Sequence, residues 1–450
     1  MKTLTLSEAA RAVNGKLVGD GSFTGVYTDS RKPVKNALFI ALEGEKFDGH
    51  DFIKSAAENG AAAVICRKET DVSVPVIYVE DTKKALLDLA AYYRSLFDCT
   101  VVGLTGSVGK TTTKEMTALV LASEYETVKT QGNLNNDIGM PLTLFNLEET
   151  TEAAVIEMGM NHKGEISTLT NVSRPDLAII TNIGVSHIEN LGSRENILAA
   201  KLEILEGMKK GSALIINGDN DLLSTVDCDD YDIVFFGIEN EKCNVRATDI
   251  EMSDSSSVFN ILYNGEKYRC TVPVAGIHNI YDALSAFAAG VKTGIAPEKA
   301  ACAIADYVPA GMRQKTVVKN GITFIEDCYN ASPDSVKAGI NTLSAMSSER
   351  KIAVLGDMLE LGDYSETAHR ETGAYAAEKD IDVLFAYGNA SEYTFEEAKK
   401  CNIKEVCHFT EQNELAEALS AFIRSGDAVL FKASRGMRLE NVIQYIYEKL

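Results

Sequence analysis

The sequence predicts an α/β fold in three domains. Three observations carry that reading. At residues 100–122 an apolar run (Thr100 to Leu104), a glycine-rich turn and a helical pattern ending at Ala122 follow one another, the order of a strand, a phosphate-binding loop and a helix. Elsewhere short apolar runs alternate with helical patterns, the rhythm of parallel sheets covered by helices. The length of 450 residues makes about three domains of ordinary size. The expected limits are 1–98, 99–310 and 311–450. The central domain is then a P-loop, ATPase-like parallel-sheet domain, and the last is Rossmann-like.

Each element has its own signal. In the first region Ala37-Leu38-Phe39-Ile40-Ala41-Leu42 and Ala62-Ala63-Val64-Ile65 read as strands, and Phe52–Asn59 and Thr82–Leu96 as helices. In the second, the apolar runs Ala153–Ile156, Leu177–Thr181 and Ala213–Ile216 are each followed by a polar loop. Residues Val245–Val274 break the rhythm with short alternating segments around Asn264-Gly265, which predicts a hairpin. A helix is expected from Glu195 to Met208. Past Pro309-Ala310-Gly311, strands at Ile322–Ile325, Ile352–Leu355, Val383–Ala386 and Ala428–Phe431 with helices between them read as a second doubly wound sheet.

Composition narrows the function. Lys and Arg total 44 against 65 Asp and Glu, a formal net charge of −21. Such a field repels phosphate, which argues against nucleic acid or an acidic membrane as partner. Any nucleotide site must therefore be locally cationic. A polar, helix-like start from Met1 to Val13 and the lack of a long apolar run predict neither a signal peptide nor membrane insertion. The nine cysteines are scattered with no Cys-x-x-Cys pair, so free thiols in a reducing cytoplasm are expected. His408 near Cys401 and Cys407 lacks zinc-ligand spacing.

The chemistry starts at Gly106-Ser107-Val108-Gly109-Lys110-Thr111-Thr112. Glycines let consecutive N–H groups converge on one phosphate at a helix start, Lys110 reaches the β/γ-phosphates, and the Thr111 hydroxyl holds Mg²⁺. The spacing departs from the usual rule, with glycine at 103 and leucine at 104. Glu157, at the end of the Ala153–Ile156 strand, is placed to serve Mg²⁺. His187 follows another strand end, where structural and ligand roles both stay open. Lys201 lies in the middle of an apolar helical stripe with Ile197, Leu198, Leu202, Leu205 and Met208. Taken alone, that pattern favours a lysine whose stem packs while its ammonium reaches water. No Asn-Lys-x-Asp guanine signal is present, which weighs against a nucleotide switch.

Together these segments resemble the Mur ligase superfamily over nearly the whole chain. The Thr-Gly-Ser-x-Gly-Lys-Thr loop looks like its phosphate-loop variant. Gly132-Asn133-Leu134-Asn135-Asn136-Asp137-Ile138-Gly139-Met140-Pro141, Glu157-Met158-Gly159-Met160-Asn161-His162-Lys163-Gly164-Glu165-Ile166 and Leu355-Gly356-Asp357-Met358-Leu359-Glu360-Leu361-Gly362 resemble signatures of its dipeptide-adding branch. Thr28-Asp29-Ser30-Arg31 is similar to a uridine-nucleotide domain. Two departures stand out: Asp282 where the family has asparagine, and Ile277 where a basic residue is common.

The resemblance implies ATP-dependent ligation of D-Ala-D-Ala to UDP-N-acetylmuramoyl-tripeptide through an acyl phosphate, in a cytoplasmic monomer. It implies two Mg²⁺ ions, one held by Thr111 and Glu157, the other by His187 and a carbamylated Lys201. It also implies ATP contacts from His278, Asn279, Arg313, Asp327 and Asn330. UDP-substrate contacts would come from Ser30 and Arg31, peptide contacts from Asn135 and Asn136, and dipeptide contacts from Lys432, Ser434 and Arg435.

Overall fold

In this computed structural model, which describes residues 1–44 and 47–450, strands and helices alternate almost throughout. The first hundred residues give β1 (Leu4–Thr5), α1 (Leu6–Ala12), β2 (Lys16–Val18), β3 (Ser22–Phe23), β4 (Val26–Tyr27), β5 (Leu38–Ile40), α2 (Ile53–Glu58), β6 (Ala63–Cys66), β7 (Val76–Tyr78) and α3 (Thr82–Arg94). Next come β8 (Thr100–Thr105), α4 (Lys110–Ala122), β9 (Thr127–Lys129), α5 (Gly139–Leu144), β10 (Ala153–Glu157), α6 (Glu165–Ser173), β11 (Leu177–Ile180), α7 (Ile188–Leu191) and α8 (Arg194–Leu202). They are followed by β12 (Ala213–Asn217), β13 (Asp232–Gly237), β14 (Val245–Met252), β15 (Ser257–Tyr263), β16 (Glu266–Val272), α9 (Ile277–Lys292) and α10 (Pro297–Ala303). The last part holds β17 (Lys315–Lys319), β18 (Ile322–Glu326), α11 (Pro333–Ala345), β19 (Arg350–Gly356), α12 (Ser365–Glu378), β20 (Val383–Tyr387), α13 (Ser391–Lys400), β21 (Glu405–Phe409), α14 (Gln412–Phe422), β22 (Asp427–Lys432) and α15 (Glu440–Lys449).

By contact, the described residues form two units: 1–105, 124–178 and 202–213 in one, and 106–123, 179–201 and 214–450 in the other. This grouping divides the chain differently from the three segments expected from sequence.

The first unit contains a five-stranded sheet in the order β2-β7-β6-β5-β4, parallel except for β2. Leu38, Phe39, Ile40, Val64 and Ile65 are fully buried, as expected for strands covered on both faces. In the same unit β10 pairs in parallel with β8 on one side and β9 on the other.

In the second unit the hairpin expected at Asn264-Gly265 joins β15 to β16, with φ of 51° and 84° at the two turn residues. Positive φ at both positions suits the twist of the flanking strands. The last six strands form one sheet in the order β17-β18-β22-β19-β20-β21, with only β17 antiparallel. Alternate residues of β19 feed opposite cores. Ile352 and Val354 pack into one cluster with Leu415 and Ile443, and Ala353 and Leu355 into the other with Val336 and Ile340. That two-faced burial is the doubly wound arrangement read from the sequence. It lines up the carboxyl ends of β18, β19 and β22, where loops carry polar side chains.

One helix differs from expectation. The pattern from Glu195 to Met208 predicts a single helix, yet α8 ends at Leu202 and a 3₁₀ turn covers Glu203–Gly207. The reason is a tertiary contact. The Glu203 carboxylate accepts from the Gly164 and Ser167 N–H groups at the start of α6, and Thr170 Oγ1 donates to the Ile204 carbonyl. Among the described residues no helix is long and apolar enough to cross a membrane, and all nine cysteines are free.

Candidate active site

The phosphate loop folds where β8 stops and α4 starts. Two glycines make this possible. Gly109 takes a left-handed φ of 83° as the residue that opens α4, and a Cβ on Gly106 would lie 1.8 Å from Thr181 Oγ1. Only hydrogen fits at Gly106. Two loop N–H groups converge on one side-chain oxygen. Ser107 N and Val108 N both donate to Asn182 Oδ1, at 3.1 and 2.9 Å. Lys110 Nζ donates to the Gly106 carbonyl at 2.9 Å, and Thr111 and Thr112 sit in the first turn of α4. Asn182 escaped the sequence reading, because a loop asparagine carries no spacing signal. Its place beside the loop is set by Gly184 N donating to Ser107 Oγ at 2.9 Å and Thr181 Oγ1 donating to the Val108 carbonyl at 2.6 Å.

Lys201 is 2% exposed. The snorkelling reading is therefore overturned, since the ammonium does not reach water. Burial, and then the like charge of Lys110, hold its pKa well below the ordinary lysine value. No carboxylate pairs with it among the described residues. A neutral, buried amine is the form that adds CO₂, so the residue fits a carbamate.

His187, at a left-handed φ of 62°, places Nδ1 3.0 Å from Glu360 Oε2. Glu360 comes from the Leu355–Gly362 signature, and sequence reasoning gave it no role. Asp334 is a second acid outside that reading. It lies at the start of α11, packs against Gly184 and is hydrogen-bonded by the Val185 backbone. Burial raises its pKa.

The β18 end brings together residues expected at the nucleotide, and here they contact one another. Lys432 is 3% exposed, and its Nζ lies 2.9 Å from Asp327 Oδ2 and donates to the Asn330 carbonyl at 2.9 Å. It was expected at the dipeptide; here its ammonium organises the 327–330 loop instead. Asp327 Oδ1 also accepts from Gln314 N at 3.2 Å, and Asn330 Oδ1 accepts from Ala331 N at 2.9 Å. The Gln314 side chain in turn joins the start of α9: its Oε1 lies 2.7 Å from His278 Nε2 and accepts from Asn279 Nδ2 at 2.8 Å. Burial lowers the His278 pKa. The Arg313 guanidinium stacks 3.6 Å over the Tyr329 ring, and that of Arg435 lies 5.7 Å over the same ring. Ser434 Oγ accepts from Leu359 N and donates to the Ala331 carbonyl, tying the β19 and β18 loops together. Arg435 stays exposed and pairs with Glu440.

In the first unit Glu157 is 1% exposed. Asn135 Nδ2 donates to Glu157 Oε1 at 2.8 Å, and the Glu157 N–H donates to Thr130 Oγ1 at 3.0 Å. Asn136 Oδ1 accepts from Gly139 N at 2.8 Å and so caps α5. The two signature asparagines, expected at the peptide arm, thus have structural partners here. Ser30 is half-buried, and Arg31 is exposed in a bidentate pair with Asp29 that holds the Asp29 carboxyl below its ordinary pKa. Glu43, Asp48 and His50 are the metal-like cluster among the described residues, but Arg67 and Lys68 already pair with its acids.

Comparison with known proteins finds relatives along nearly the whole chain. Three family models align in order: the Mur ligase catalytic domain over 22–94, the Mur ligase middle domain over 104–290 and the Mur ligase glutamate ligase domain over 312–435. The chain is 44% identical to the UDP-N-acetylmuramoyl-tripeptide–D-alanyl-D-alanine ligase of Bacillus subtilis, over 94% of this chain and 93% of that one. It is 34% identical to the ligase of the same name from Escherichia coli, over 100% and 99%. Among solved structures, MurF from Acinetobacter baumannii superposes with a TM-score of 0.94 at 31% identity, covering 100% and 99% of the two chains. MurF from Thermotoga maritima in complex with ADP gives 0.85 at 28% identity, covering 94% and 97%. Matches of this extent, from the first strands to the last, show that the chain belongs to the Mur ligase family.

Proposed function

We infer that the chain is an ATP-dependent ligase that joins D-alanyl-D-alanine to UDP-N-acetylmuramoyl-tripeptide in peptidoglycan precursor synthesis. The observation that carries this is the 44% identity to a ligase of that name over nearly the full length of both chains. The converged N–H groups of the phosphate loop give the reading its chemistry. We propose the division 1–98, 99–310 and 311–450 for the UDP-substrate, ATP-binding and dipeptide-binding domains; the limits of the three family models support it. Free cysteines support a cytoplasmic setting.

The reaction needs a carboxylate to become an electrophile. The tripeptide's terminal carboxylate oxygen attacks the γ-phosphorus of ATP and ADP leaves. The dipeptide amine then attacks the acyl carbon, and phosphate departs with the former carboxylate oxygen. Two anions meet in the first step. Lys110 offsets that repulsion, and the loop N–H groups hold the phosphates in line for transfer.

We propose Thr111 and Glu157 as ligands of one Mg²⁺, and His187 and a carbamate on Lys201 as ligands of a second. A hydroxyl, a carboxylate, an imidazole and a buried amine able to become a carboxylate suit a hard cation. Bound Mg²⁺ would neutralise charge on the transferring phosphoryl group. Asp327 would meet the ribose and Asn330 the adenine, with Lys432 holding both in place. Arg313 would meet the phosphates, and His278 and Asn279 the nucleotide. Arg435, an exposed cation beside Ser434, would take the dipeptide carboxylate. Ser30 and Arg31 would take the uridine nucleotide. Asn135 would reach the peptide through the acid it holds, and Asn136 through the helix start it caps.

Phosphate release with UDP-N-acetylmuramoyl-tripeptide tests the reading. It should need D-Ala-D-Ala, with free D-alanine serving poorly, because a site built around a remote carboxylate leaves its donors unpaired when the ligand is shortened. Equal rates with single amino acids would move the chain to another branch. Lys110→Ala should fold and lose at least ~10²-fold in rate.

A further inference from the structure

Asp282 is an acid packed beneath the phosphate loop. It is 6% exposed on α9, and its Oδ1 accepts from Thr113 Oγ1 at 2.8 Å. A Cβ on Gly109 would lie 2.5 Å from the same oxygen. Thr113 belongs to the first turn of α4, and its N–H donates to the Gly109 carbonyl at 2.9 Å. The carboxyl is thus lodged against the same helix start whose positive end the nucleotide phosphates use.

What surrounds it does not neutralise it. From α4, Thr113 meets it with a hydroxyl; Lys110 turns its ammonium to the Gly106 carbonyl, and Lys114 pairs with Glu115. From the segment after α10, Tyr307 is the titratable group that senses the Asp282 charge, with Glu115 and Arg313 acting on Tyr307 in turn. Among the described residues no cation pairs with Asp282 from the other elements packed on α9. Burial pushes its carboxyl up to about 7, against the pull of the Thr113 hydrogen bond. An ionised Asp282 and a bound phosphate would be two anions at one helix end, and no cation pairs with Asp282 among the described residues.

We propose that nucleotide binding at the phosphate loop is coupled to proton uptake by Asp282. As the phosphates settle on the start of α4, the carboxylate takes one proton from solution and keeps its Thr113 contact as a neutral acid. This rests on the phosphate-loop reading above. At acidic pH the proton is already in place and binding takes up none. At alkaline pH each nucleotide bound draws a proton, and affinity falls by up to about tenfold per pH unit.

The test is calorimetric titration of the intact protein with ADP and Mg²⁺, run at about pH 6 and about pH 8 in pairs of buffers with different ionisation enthalpies. The dependence of heat on buffer counts protons. The wild type should take up almost none at the lower pH and a large part of one proton at the higher. Asp282→Asn should show only the uptake owed to ADP itself, and should bind more tightly than wild type at the higher pH. Equal proton counts in the two proteins, or no uptake by wild type at the higher pH, would overturn the coupling. The buffer comparison in wild type decides the question even where the variant folds poorly. Failure of wild type to bind ADP at all would overturn the phosphate-loop reading and the coupling together.

Discussion

Lys201 shows how much a single side chain decides. An amine at 2% exposure beside a second lysine has its pKa pushed well below the ordinary lysine value, first by burial and then by that charge, and the neutral form this favours is the state that accepts CO₂. Lys201→Ala should lose at least ~10²-fold in rate, because a metal loses its anionic ligand. Acetate at high concentration should restore part of that rate, and Lys201→Arg should not substitute, since guanidinium stays cationic. Labelled bicarbonate should give the wild type a carbamate carbon resonance that Lys201→Met lacks. A folded Lys201→Met protein with normal turnover would return the residue to packing alone. Asp282 makes a second prediction, on stability. Burial raises its folded-state pKa to about 7, above the ordinary aspartate value of 3.8, so the folded state binds the extra proton between them. Stability from this group therefore falls as pH rises across that window. Asp282→Asn should melt higher than wild type at about pH 8, with the gap closing toward about pH 4; a gap independent of pH would contradict the account. Lys201 was legible in the sequence because a charge interrupts an apolar stripe. Asn182, Gln314, Asp334 and Glu360 were not, because each is a loop residue or helix-start residue whose partner lies far along the chain.

At the scale of elements, periodicity carried strands and helices well where one face is buried. The β15–β16 hairpin and the alternating faces of β19 are both visible as local patterns. The end of α8 was not. The apolar stripe runs on to Met208, while the chain turns at Glu203 to cap α6, a contact 39 residues away that no local pattern encodes. Gly207 closes that turn against α6. A Cβ there would lie 2.2 Å from the Thr170 carbonyl oxygen, a backbone atom with little room to move. Gly207→Ala should therefore destabilise the protein by about 1–3 kcal/mol, measured as a shift of the denaturant midpoint at constant slope. An unchanged midpoint would mean that the turn and α6 part easily.

For the whole molecule, the sequence resemblance extended across the chain, and the family matches do too. The signature strings were more informative than any single motif. They did not show what Asn135 and Asn136 do: Asn135 holds Glu157 and Asn136 accepts from the first N–H of α5, while outside the strings Lys432 fixes the 327–330 loop, all roles that depend on packing and not on type. The act proposed for this chain is turning a carboxylate into an acyl phosphate. The most direct measurement supplies UDP-N-acetylmuramoyl-tripeptide with its terminal carboxylate labelled with ¹⁸O, together with ATP and D-Ala-D-Ala, and reads the released phosphate by mass. The account predicts one ¹⁸O atom in phosphate for every amide bond formed. Amide product with unlabelled phosphate would contradict it.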